Sequence, residues 1–157
     1  MAKTKKSWRE KLADDKDLPR VEKITPNMSQ RWGTGTVVIP APREVDEIMR
    51  SVPKGRLITI NQIRERLAKK HGASIGCPIT TGIFSNIAAR AAEEAKAEGE
   101  KNITPYWRTL KVGGVLNEKY PGGVEAQAKR LKEEGHTIEA KGQKVRVKNF
   151  EKALQES

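Results

Sequence analysis

The chain has 157 residues, with 31 Lys and Arg against 20 Asp and Glu, giving a formal net charge of +11. This length suits one ordinary domain with an extension. Its 36% hydrophobic and 32% charged residues supply a modest core beneath a strongly charged surface, which excludes a chain disordered throughout.

Cys77 stands alone, so an intrachain disulfide and a cysteine-rich zinc site are excluded too. His71 and His136 have no ligand-spaced companion, and neither a metal nor any other cofactor is expected. The basic start, MAKTKKSWREKL, leads into no apolar stretch. The longest apolar runs, such as Val37-Val38-Ile39, fall far below the roughly 20 residues that cross a bilayer. The expectation is a soluble cytoplasmic protein without a membrane partner, associated with the nucleoid when bound to DNA. Excess positive charge favours an anionic partner, nucleic acid first, because neutralising phosphates releases condensed counterions. The competing explanation is a lysine-rich surface that serves solubility alone.

In chain order, Trp8 and Leu12 at i,i+4 spacing predict a short helix behind a loose basic arm at Lys3, Lys5 and Lys6. Pro26, Gly33, Gly35, Pro40 and Pro42 surround one extended run, Thr36 to Ile39, so residues 1–41 read as a basic, loop-rich extension with a single strand. From Pro42 the pattern turns helical. Val45, Ile48, Met49 and Val52 mark a first helix closed by Pro53 and Gly55. After a short extended piece, Leu57-Ile58-Thr59, Thr59 caps a second helix that turns Ile60, Ile63 and Leu67 inward and stops at Gly72.

A third helix starts at Cys77-Pro78, carries Ile83, Ile87, Ala91 and Ala95 on its inner face, and ends at Gly99. The turn between the second and third helices predicts a helix-turn-helix whose later helix enters the DNA major groove, with Ile79-Thr80-Thr81 as its probe. Residues 110–124 are glycine-rich and irregular, and a helix follows to Glu134 with Ala128 and Leu131 inward. Thr137 to Ala140 and Lys144 to Val147 then alternate around Lys141-Gly142-Gln143 as a hairpin. A basic hairpin behind a three-helix core is the wing of a winged helix. The alternative is a plain structural hairpin with Lys144, Arg146 and Lys148 on its solvent face. The fold class is therefore mainly α with a small β wing, a winged helix-turn-helix DNA-binding domain over residues 42–157.

Residues 52–63, VPKGRLITINQI, resemble the opening of the DNA-binding domain of the alkylguanine-DNA alkyltransferases, also called the methylguanine-DNA methyltransferase family. Pro105-Tyr106-Trp107-Arg108-Thr109 resembles that family's P-C-H-R-V box. Gly113-Gly114-Val115-Leu116, Tyr120-Pro121-Gly122-Gly123 and Glu133-Glu134-Gly135-His136 resemble the loop and final helix after the box. The resemblance spans residues 45–137 and is carried by the order and spacing of these pieces. It implies the alkyltransferase type of winged helix, with duplex DNA as the partner.

The departures bear on activity. Alkyl transfer needs a cysteine thiolate activated by a histidine. The resemblance puts Tyr106 at the cysteine position, Trp107 at the histidine position and Glu134 at the relay glutamate. It also puts Ile60 where the family has its base-turning aromatic and Thr81 where it has the arginine that fills the vacated stack. The chain is similar in logic to the alkyltransferase-like proteins, which lack the cysteine and bind alkylated DNA without repairing it. Lys16-Asp17-Leu18-Pro19 and the run from Arg31 to Pro42 look typical of a branch of this kind.

Site expectations follow. Tyr106, Trp107 and Tyr120, beside Glu134, would form an aromatic pocket in which a base stacks, at about 1–3 kcal/mol per base; the alternative is that these rings complete the core. Lys54, Arg56, Lys144 and Arg146 would meet phosphates, with Thr80 and Thr81 at the groove and Arg108 either structural or phosphate-facing. Cys77, at a helix start, reads as a small packed thiol rather than a nucleophile. The combined expectation is a protein that binds duplex DNA and recognises damaged or alkylated bases without alkyl transfer. A glycosylase using Glu134 to activate water is the enzymatic rival, and a transcription regulator or RNA-binding protein is a third possibility.

Overall fold

The computed structural model describes residues 7–15 and 17–155. The arm at Lys3, Lys5 and Lys6 and the first residue of the Lys16-Asp17-Leu18-Pro19 segment lie outside them.

The main body is built on three helices, α3 (Pro42–Arg50), α4 (Ile60–His71) and α5 (Pro78–Ala97). Each begins as its sequence dictates. Pro42 and Pro78 open α3 and α5 at a first-turn position where no amide partner is lost. At α4, Thr59 Oγ1 accepts from the Gln62 amide at 3.2 Å while Gln62 Oε1 accepts from the Thr59 amide at 3.0 Å, a reciprocal cap. Gly72, at φ 65°, ends that helix in the left-handed conformation that glycine takes without a Cβ penalty.

The helices share a core of Val38, Val45, Met49, Val52, Ile58, Ile63, Leu67, Ala88, Ala89, Ala92, Tyr106 and Tyr120. A second cluster, Leu57, Leu110, Leu116, Leu131 and Val147, lies under α6 (Gly123–Glu133) and the antiparallel hairpin of strands Ile138–Lys141 and Lys144–Val147. Trp107 packs against both clusters.

The inner face of α5 differs from the expected one. Its buried stripe is Thr81, Ser85, Ala88, Ala92 and Ala95, with Ala89 and Ala91 beside it, while Ile83 is exposed. Small residues win this face because α1 (Trp8–Ala13) and α3 pack closely along it, and bulk there would hold them off.

The N-terminal segment is richer than a loop with one strand. It holds α1, a strand Arg20–Lys23, α2 (Pro26–Trp32) and the expected strand Thr36–Ile39. The last of these pairs antiparallel with the first strand and parallel with Ile75–Gly76, where Val37 faces Ile75 and Val38 faces Gly76. Gly76 is required there: a Cβ would sit 2.6 Å from the Arg64 carbonyl oxygen on α4. The start of α1 is held by Glu94 of α5, whose carboxylate accepts from the Trp8 and Arg9 amides at 3.2 and 3.1 Å. Among the described residues, no helix is long and apolar enough to cross a membrane.

Candidate nucleic-acid interface

The box that resembles the alkyltransferase active site is a short 3-10 turn, Tyr106–Arg108, leading into a two-residue strand, Thr109–Leu110, parallel to Ile58–Thr59. Its side chains are committed to the protein. The Tyr106 hydroxyl donates to Glu93 at 2.5 Å, and Glu93 also pairs with Arg130 at 3.1 Å. Burial, followed by the Glu93 carboxylate, pushes the Tyr106 phenol far above its ordinary range. Trp107 Nε1 donates to Glu134 at 3.0 Å while the Arg130 guanidinium lies 4.3 Å from its ring centre.

Arg108 reaches Glu134 through Nε at 2.9 Å and Nη2 at 2.7 Å, and the Val52 carbonyl through Nη1 at 2.7 Å. With side chains only 13% and 8% exposed, Arg108 and Glu134 form an internal two-pronged pair. Burial works to raise the Glu134 carboxyl, but Arg108, and then Trp107, hold it below the usual range.

These contacts correct several expectations. Tyr106 and Tyr120 are buried and meet edge to face at 5.5 Å, as core rings do, leaving no stacking surface for a base. Arg108 is bound inside the protein and does not face phosphate. Glu134 is engaged by Arg108 and Trp107 and only 8% exposed, an ion-paired carboxylate inside the protein and not one presented to a water for base excision. Thr81 is buried, its hydroxyl donating to the Cys77 carbonyl at 2.6 Å, and cannot probe a groove. Thr80 is half-buried. Arg146 pairs with Glu139 at 3.2 Å across the hairpin. Cys77 is buried at the cap of α5, and His71 is engaged with Glu44 at 2.6 Å. Among the described residues, no group of three or more His, Cys, Asp or Glu could hold a metal.

The hollow lies beside the box, not in it. A cavity of about 620 Å³ opens between the first turns of α5 and the glycine-rich loop 111–119, lined by Ile60, Ile79, Gly82, Ile83, Ser85, Asn86, Lys111, Val112, Val115, Asn117, Glu118, Lys119 and Lys144. Ser85 and Asn117, both buried, form its floor. Behind them the Tyr120 hydroxyl is fully buried with no well-formed hydrogen bond, and burial pushes its phenol up to about 12.

The loop is pinned on both sides. The Leu116 amide donates to the Val145 carbonyl of the hairpin at 2.9 Å, which brings Lys144 to the cavity. On the other side the Asn117 amide donates to Gln127 Oε1 at 2.8 Å, and Gln127 Nε2 reaches the carbonyls of Trp107 and Thr109 at 3.1 and 3.3 Å. At the inner bend, Gly114 has φ +79° and a Cβ there would fall 2.4 Å from the Phe150 ring.

The rim combines apolar and cationic groups. Ile79, Ile83 and Val112 are 59%, 49% and 62% exposed. Lys111 pairs with Glu118 at 3.1 Å, and a backbone hydrogen bond, then Lys111 and last Lys119, hold that carboxyl below its ordinary range. Lys144 makes no ion pair among the described residues. Of the side chains singled out from the sequence, Ile60, Ile79, Ile83, Val115 and Lys144 line the cavity; Lys54 and Arg56 are exposed on the turn before the Leu57–Thr59 stretch, outside its lining. Sequence reasoning missed Asn86, Lys111, Val112, Asn117 and Lys119 of the lining, and Gln127 behind it. For the loop residues the signal was the run of glycines, which is a place where backbone comes close to something else; Asn86 and Gln127 sit on helices and carried none.

No protein-family model matches the chain, and no curated protein sequence does either. Two solved structures align with it. Atl1 of S. pombe, crystallised in complex with damaged DNA containing O6-carboxymethylguanine, aligns with a TM-score of 0.51 and 18% identity over 74% of this chain and 94% of that one. S. pombe ATL in complex with DNA aligns with a TM-score of 0.47 and 16% identity over the same shares. The chain therefore has an Atl1-like fold, predominantly helical with small sheets.

Proposed function

We propose that this protein binds duplex DNA and receives altered bases, O6-alkylated guanine foremost, in the cavity between α5 and loop 111–119, without transferring the alkyl group. The carrying observation is the cavity itself, a hollow of about 620 Å³ with an apolar mouth and Lys111, Lys119 and Lys144 around it. Supporting it is the likeness of fold to Atl1, a protein seen on DNA carrying an O6-alkylated guanine. In this reading residues 42–157 form a winged helix-turn-helix domain, with α4 and α5 as the helix pair and the 138–147 hairpin as the wing. Residues 1–41 are its N-terminal extension.

Alkyl transfer is left out for a chemical reason. A thiolate would have to stand at the cavity, yet the single cysteine, Cys77, is buried at the cap of α5 and is not among the lining residues. The Tyr106 phenol, buried and donating to Glu93, offers no substitute nucleophile.

The test is binding by fluorescence anisotropy to matched duplexes carrying guanine or O6-methylguanine, followed by chromatography of the digested DNA. Tighter binding to the alkylated duplex, with the alkyl group still on the base afterwards, is the expected outcome. If six to ten phosphates are neutralised, affinity falls about 10³–10⁵-fold between 50 and 200 mM salt. A flat salt profile removes nucleic acid as the partner, and loss of the methyl group from the DNA overturns recognition without transfer.

A further inference from the structure

We infer that Ile79 and Ile83 of α5, with Val112 on the facing loop, form an apolar wedge that enters the duplex stack and fills the gap left by a base drawn into the cavity. The inference rests on the reading just given and names the groups that would carry its least favourable step. Displacing a base costs a few kcal/mol in lost stacking and pairing. Proteins that bend or open DNA from the minor groove repay such costs with apolar side chains inserted between base steps.

The positions fit that task. Ile79 and Ile83 are four residues apart on one helix, hence stacked on one face, and both line the cavity. Thr81, midway between them in sequence and so on the far side of the helix, is fully buried, which turns the two isoleucines outward. Val112 stands on the loop that forms the other lip of the same hollow. Large aliphatic side chains left about half or more in water, around a cavity, have no role in the core. Ile60, at the base of this group, is partly buried and packs on the main core, so it is a support rather than a probe.

Charge selects the occupant. Lys111, Lys119 and Lys144 surround the apolar lips, and a chain of net charge +11 would draw a polyanion there before a neutral apolar partner. Among the described residues lining the cavity, the one acid, Glu118, pairs with Lys111 at 3.1 Å and lies beside Lys119 in sequence. Duplex DNA satisfies both demands, with phosphates for the lysines and a base stack for the isoleucines.

The experiment uses the full chain and duplexes with 2-aminopurine next to an O6-methylguanine or a guanine, since 2-aminopurine brightens when it is unstacked. Wild type should bind with a rise in fluorescence on the alkylated duplex. Ile79→Ser combined with Ile83→Ser should keep the melting temperature and the salt slope, since neither side chain is in the core or carries charge. It should lose the fluorescence rise, and its preference for the alkylated duplex should fall about tenfold or more, the factor equivalent to about 1.4 kcal/mol. Ile83→Leu, which keeps the bulk, should retain the signal. If the serine pair preserves both fluorescence and preference, the wedge is wrong while lesion recognition stands. If wild type binds no duplex at all, the parent reading fails with it.

Discussion

Two neighbouring regions, the 105–109 box and the 111–119 loop with the start of α5, both carry polar and apolar groups yet have opposite character. In the box nearly every polar atom has an internal partner: Tyr106 with Glu93, Trp107 and Arg108 with Glu134, and Arg108 again with the Val52 carbonyl. At the cavity, exposed isoleucines and lysines face outward, and the internal hydrogen bonds of Asn117 and Gln127 only hold the loop in place. The lesson is that a cluster of aromatic and charged residues that reads as a site can serve as scaffold. Trp107 ties two hydrophobic clusters together, while the surface beside the box stays open to solvent.

The sharpest way to break that contrast is Trp107→Ala. Trp107 packs on both clusters and bonds Glu134, so its removal should cost about 3 kcal/mol or more of stability, read from urea denaturation. The fraction that stays folded should keep its preference for alkylated duplex. A variant that folds normally but no longer tells the duplexes apart would return the binding site to the box.

Glu134→Gln probes the same region through pH. Arg108 and Trp107 hold the Glu134 carboxyl below its ordinary range, so the stabilisation is fully present above the unfolded value near about 4.3 and is lost as pH falls through the lower folded value. At pH 7, leaving Arg108 buried without its partner should cost about 3 kcal/mol. The urea midpoints of wild type and variant should converge as pH drops below about 4. Curves that remain parallel down to about pH 3 would show that the pair contributes nothing through charge.

The smallest stability effect belongs to the cavity. Lys119→Ala with Lys144→Ala should shift folding by no more than about 0.5 kcal/mol, because both side chains are exposed. The salt slope of DNA binding should nevertheless drop by about 2, roughly one for each phosphate that no longer meets a lysine. An unchanged slope would separate the cavity from the path of the DNA backbone.

Legibility differed along the same divide. The three core helices, the Thr59 cap, the helix after the glycine-rich loop and the hairpin were readable, since each is specified by neighbours within a few residues: Pro78 at a first turn, Gly72 past a last one, alternation around Gly142. The strands Arg20–Lys23 and Ile75–Gly76 and the helix Pro26–Trp32 were not, being short and weakly patterned; both strands are held by pairing with Thr36–Ile39, some of it distant in sequence. Ile83 was placed inward by hydrophobicity, but helix packing favoured the small stripe of Thr81, Ser85 and Ala88. The resemblance drew attention to Tyr106, Arg108 and Glu134, whose polar groups the fold uses internally, and not to the cavity beside them.

The amino acids by themselves determined the helical body, the basic balance and the absence of a second cysteine to pair with Cys77, all of which follow from composition and local periodicity. Only the folded chain decided that Glu93 and Glu134 would occupy the hydrogen-bonding groups of the box, and that α5 and loop 111–119 would part to leave a hollow beside it. Those outcomes depend on contacts between residues such as Arg108 and Val52 or Asn117 and Asn86, which lie 56 and 31 positions apart. No short-range pattern encodes which donor meets which acceptor across such distances; that is settled when buried polar groups must find partners in a close-packed interior.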